Sequence, residues 1–69
     1  MTRKDYQTIA DILAGDIASH RNVPTAFYAI RNVCLSMADA FGRANPRFDR
    51  RQFLLDCGLT AEDAPMSLG

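Results

Sequence analysis

The run Asn45-Pro-Arg-Phe-Asp-Arg-Arg-Gln-Phe-Leu-Leu-Asp-Cys-Gly-Leu59 constrains the fold more than any other stretch, because both ends of a short helix are written into it. Pro46 punctuates the approach. Asp49 is placed as the N-cap, its carboxylate accepting from a free first-turn amide, and Gln52 three residues on completes an Asp variant of the capping box. Phe48 and Phe53 hold the flanking positions of a hydrophobic staple. At the other end Gly58 suits the left-handed C′ position, and Leu59 can fold back on Leu54 as a Schellman motif requires. The spacing predicts a short capped third helix over about 50–57.

Upstream, apolar residues recur at helical spacing. Over about 2–20, Thr2 can cap with Asp5 at N3, and Tyr6, Ile9/Ala10, Leu13 and Ile17 follow at intervals of three and four. Gly15 weakens this helix by about 1 kcal/mol relative to Ala. It could also end a first piece at Ala14, with Asp16 capping a second, but Ile17 continues the same stripe and one helix is the preferred reading. His20-Arg-Asn-Val-Pro24 breaks the pattern: Asn22 tolerates a left-handed cap, and Pro24 suits the first turn of the next helix. So short a connection makes the flanking helices antiparallel neighbours.

The helix over about 24–44 is the longest and most periodic. Val23, Phe27, Ile30, Cys34, Met37, Phe41 and Ala44 form its stripe, widened by Ala26, Val33 and Ala40. Three such heptad-like repeats fit a coiled coil, but in so short a chain they fit the central helix of a small bundle better. Tyr28 and Leu35, seven apart, fall outside the stripe and mark a candidate partner surface on a second face. The expected fold is therefore an all-α three-helix domain over 1–59, an antiparallel pair closed by the short third helix. The tail 60–69, with Pro65 and small polar residues, is expected to fray.

With 69 residues there is room for one core. A core this small rarely supplies more than about 3–5 kcal/mol, and association with a partner or a second copy would relieve the shortage. Eight basic and eight acidic residues cancel, so no global field draws the chain to nucleic acid or an anionic membrane. No apolar run approaches a membrane span and no signal-peptide core follows the basic start, so a cytoplasmic location is expected. Cys34 and Cys57 read as buried free thiols, and a single histidine, His20, makes a structural zinc site improbable.

One local charge anomaly stands out: Arg43, Arg47, Arg50 and Arg51 supply half the basic residues within nine positions. Arg50 and Arg51 open the third helix, where the macrodipole disfavours cations by about 0.3–1 kcal/mol each. Arginines near a helix start suit phosphate or carboxylate groups, so an acidic protein surface or nucleic acid is a candidate partner. Pairing with Asp39, Asp49 and Asp56 is the plain structural alternative. A helix-turn-helix reader fits poorly, since the Arg43–Asp49 connection is long and contains proline. The scattered carboxylates, the absence of a His–Ser or His–Cys arrangement and the absence of a glycine-rich phosphate loop argue against an enzyme, and no cofactor or metal is expected.

The opening Met1-Thr-Arg-Lys-Asp-Tyr6 with Ile9-Ala10 resembles the start of many short bacteriophage-encoded proteins without assigned function. The later Ala38-Asp-Ala-Phe41, Asn45-Pro-Arg-Phe-Asp-Arg50, Phe53-Leu and Cys57-Gly58 are similar to the ends of the same proteins. That resemblance covers about half the chain. It implies an accessory factor that binds a host protein and modulates it, as inhibitors of host defence do, and it brings no catalytic or binding residues with it. Host-protein binding is thus the expected function. Nucleic-acid binding through the arginines and self-assembly, for instance as a homodimer, are the alternatives.

Overall fold

A computed structural model of the chain describes residues 2–60. It contains three helices, α1 (Arg3–Ser19), α2 (Pro24–Ala44) and α3 (Arg50–Asp56), and no strand among the described residues. The expected tail falls almost wholly outside those residues.

Helix α1 opens with a complete capping box. The Asp5 amide donates to Thr2 Oγ1 at 3.3 Å and the Thr2 amide donates to Asp5 Oδ2 at 3.0 Å. The bond from the Thr2 amide, and after it the nearby Thr2 hydroxyl, favours the ionised carboxylate and holds the Asp5 pKa below its ordinary value. The helix runs unbroken through Gly15. That glycine faces open space, while Leu13 and Ile17 on either side of it are buried and hold both halves in one register. The left-handed cap expected at Asn22 does not form, since no non-glycine residue has positive φ among the described residues. The chain turns instead through His20, whose carbonyl accepts from the Val23 amide at 3.0 Å, and Pro24 starts α2.

The first two helices are antiparallel: Tyr6 near the start of α1 stacks on Phe41 near the end of α2, ring centroids 5.0 Å apart. Helix α3 lies across both and supplies Phe53 and Leu54 to the core, with Cys57 and Leu59 just beyond it. Its ends follow the grammar of the sequence closely. Asp49 Oδ1 accepts from the Gln52 amide at 3.0 Å, and the Phe48 and Phe53 rings meet at 5.5 Å. Gly58 sits at φ 88°, its amide donating to Leu55 and the Leu59 amide to Leu54, the two bonds of a Schellman motif. One part differs. The Gln52 side chain does not reach back to Asp49 but donates to Asp56 one turn on, so only half of the capping box exists.

The inward face of α2 is also rotated from the expected one. Phe27, Cys34 and Ala38 are buried, whereas Val33 is 49% exposed and Val23, Ala40 and Ala44 also face solvent. At 100° per residue the buried line lies about 50–70° from the centre of the sequence stripe. The apolar arc of α2 is simply wider than the face two short neighbours can cover. Leu35 packs partly buried against the core edge, while Tyr28, two turns away on the same side of α2, is 54% exposed.

Candidate binding groove at the α2–α3 corner

Three aromatic rings from three elements build a concave surface. Tyr6 of α1 meets Phe48 of the α2–α3 connection at 4.7 Å, edge to face, and Phe48 meets Phe53 of α3 at 5.5 Å. Phe41 backs this group, 5.5 Å from Phe48 and 5.6 Å from Phe53. Edge-to-face rings of this kind contribute about 0.5–1.5 kcal/mol per pair beyond area burial, so the corner is a stiff platform. Above it lies a groove of about 520 Å³, bordered by Arg3 and Gln7 of α1, Asn45 and Arg47 of the connection, and Asp49, Gln52 and Asp56 of α3.

The charges around this groove are not equivalent. Asp49 is engaged by the Gln52 backbone amide, and Asp56 by the Gln52 side-chain amide at 2.9 Å. Arg3 and Arg47 form no ion pair among the described residues, and both are exposed. Asn45 Oδ1 accepts from the Arg47 amide at 3.1 Å, an Asx turn that fixes the backbone from which Arg47 projects. Two guanidinium groups with unspent donors thus border an aromatic floor.

The four arginines singled out from sequence separate into different roles. Arg50 is a structural residue: its Nε donates to Asp39 Oδ1 at 2.8 Å, tying the start of α3 to α2. Asp39 was one of the three acidic partners named for it. Arg47 lines the groove, while Arg43 and Arg51 are exposed outside it. Tyr28 is exposed with its ring next to Phe27 and beneath the Arg31 guanidinium, 5.1 Å away, and takes no part in the groove. Sequence reasoning missed Arg3 and Gln7. Neither carries a local signal, and only the antiparallel packing of α1 brings them to the α2–α3 corner.

Cys34 and Cys57 are free, buried and adjacent. A hydrogen bond to Cys34, reinforced by burial, pushes the Cys57 thiol far up, so it is an inert core group. Among the described residues no group of three or more His, Cys, Asp or Glu side chains could hold a metal ion, and no helix is long and apolar enough to cross a membrane. No family model matches the chain, and neither a curated protein nor a solved structure matches it.

Proposed function

We propose that this chain is a non-enzymatic binding module that takes a short acidic–apolar segment of another protein into the groove at the α2–α3 corner. The observation that carries this reading is the pairing of a rigid aromatic floor with arginines that no acidic neighbour engages among the described residues. Tyr and Arg dominate the energetic centres of protein interfaces, because rings bury area at low entropic cost and guanidinium groups meet carboxylates bidentately. A side chain seated on Tyr6 and Phe48 would place a neighbouring carboxylate within reach of Arg3 or Arg47. A host protein is the partner class that the resemblance to small phage proteins implies.

The test is a pull-down from host lysate with and without nuclease, comparing the natural chain with Arg47→Glu and with the double variant Arg3→Glu/Arg47→Glu. Arg50 is left alone because reversing it would break the Asp39 pair. A protein captured by the natural chain and lost with the variants, while their helical circular dichroism is unchanged, supports the reading. Capture unaffected by reversal of both arginines refutes it. Capture abolished by nuclease assigns the same arginines to nucleic acid.

A further inference from the structure

The core holds one pair of nucleophilic side chains that the groove does not use. Cys34, midway along α2, and Cys57, at the C-cap of α3, are both fully buried, and their thiols are hydrogen-bonded to each other. They stand 23 positions apart in sequence and meet only because α3 lies across α2. Each is held in place by its own element. Cys34 lies on the buried line of α2 between Phe27 and Ala38. The Cys57 amide donates to the Phe53 carbonyl at 3.0 Å, and the Schellman turn at Gly58 follows at once, anchored by Leu59. Both thiols are free in this structure.

A single buried cysteine packs as a small apolar group and nothing more. Two whose sulfurs are hydrogen-bonded have a further reaction open to them. In the unfolded chain the ends of a loop this long meet at an effective concentration of roughly millimolar. The fold holds them in contact, and a bond between them restricts mainly the unfolded chain, so fold and disulfide stabilise each other. We propose that Cys34 and Cys57 form a reversible redox latch: a small-molecule disulfide of the glutathione type oxidises the pair to a Cys34–Cys57 disulfide that ties the end of α3 to the middle of α2, and the matching thiol releases it.

The reaction starts from an opened form, because neither sulfur reaches solvent in the closed one. Helix α3, with seven residues, is the shortest element, and its lifting off α2 uncovers both cysteines. Opening also removes the Cys34 bond and the burial that hold the Cys57 thiol up. The first cysteine uncovered loses its proton, attacks the small disulfide and expels one small thiolate, which leaves a mixed disulfide on the protein. The second cysteine, deprotonated in turn, attacks the protein sulfur of that bond and expels the other small thiolate. Two electrons pass from the pair to the reagent, the two protons end on the departing thiols, and no further reactant is needed. The closed loop contains the second half of α2, the connection with Phe48 and all of α3, so the oxidised chain keeps this wall of the groove in place. The latch does not depend on what the groove binds.

The experiment refolds the full chain from urea in buffers of oxidised and reduced glutathione at a series of ratios, so that burial cannot delay the exchange. Products are read by intact mass and by thermal unfolding without reductant. The expected product is a monomer lighter by two hydrogens and free of glutathione. It should form at buffer ratios at least about tenfold more reducing than the same chain requires when kept in urea. Its Tm should exceed that of the reduced chain by more than about 10 °C, and dithiothreitol should return it to the starting value. Cys34→Ala, folded by circular dichroism, should give only a single glutathione adduct or a cross-linked dimer. A natural chain that collects two glutathiones or links to other copies in place of closing its own bond overturns the proposal. So does an internal disulfide that leaves Tm unchanged or lowers it.

Discussion

Replacing Gly58 with alanine isolates a backbone effect, because the structure separates strain from crowding at this position. A Cβ built on Gly58 meets nothing nearer than Ile17 Cγ2 at 3.9 Å, an ordinary van der Waals contact. The residue nevertheless holds φ at 88°, a conformation that costs an L-residue with a Cβ about 1–2 kcal/mol. The position matters because the Schellman turn at Gly58 brings Leu59, 1% exposed, onto Leu54, which is fully buried. Gly58→Ala is therefore expected to lower stability by about 1–2 kcal/mol, and in a domain of this size each kcal/mol moves Tm by about 4–8 °C. Gly58→Asn carries the same Cβ, but asparagine tolerates the left-handed region, so its loss should be clearly smaller. Thermal unfolding followed by circular dichroism at 222 nm measures both. Equal losses for Ala and Asn would mean that space, not backbone conformation, selects glycine here, and would refute the reasoning.

The capping box of α1 should be visible in acid. The Asp5 pKa is held below 3.8, so its contribution is present above pH 3.8 and is lost as pH falls through the lower folded value; Asp5→Asn should flatten that part of the Tm–pH curve, and an unchanged curve would count against the box. The two cysteines should resist a thiol-specific disulfide reagent in the native state and react only as fast as the chain opens. Their labelling rate is then expected to rise with urea in step with the unfolded population, and rapid stoichiometric labelling without denaturant would contradict their burial.

How far the structure was legible depends on the range over which each signal acts. The caps of α1 and α3, the staple between Phe48 and Phe53, and the Schellman turn at Gly58 are contacts between residues no more than five apart, and all were readable. Gln52 shows the limit even there: a side chain with two acidic neighbours on its helix chose Asp56 over the Asp49 backbone. On α2 the apolar arc is broad enough to hold two overlapping stripes. Nothing in the periodicity said which of them α1 and α3 would cover, so Ala38 went unnoticed and Val33 was placed inside. The groove is less legible still, since Arg3, Tyr6 and Gln7 reach Arg47 and Phe48 only after the helices have packed. Arg47 could be found because it belongs to a local charge cluster; Arg3 could not.

The aromatic corner also orders the assembly of the domain. Phe41, Phe48 and Phe53 lie close together along the chain, so bringing them into contact closes only short loops at small entropic cost. Tyr6 joins the same group from far earlier in the sequence, and its arrival closes a much longer loop. On this ground the α2–α3 corner is expected to form first and α1 to dock late. Truncating Phe48 to Leu should slow folding, whereas Tyr6→Phe or Ile9→Val should chiefly hasten unfolding, a division that a φ-value series would read directly.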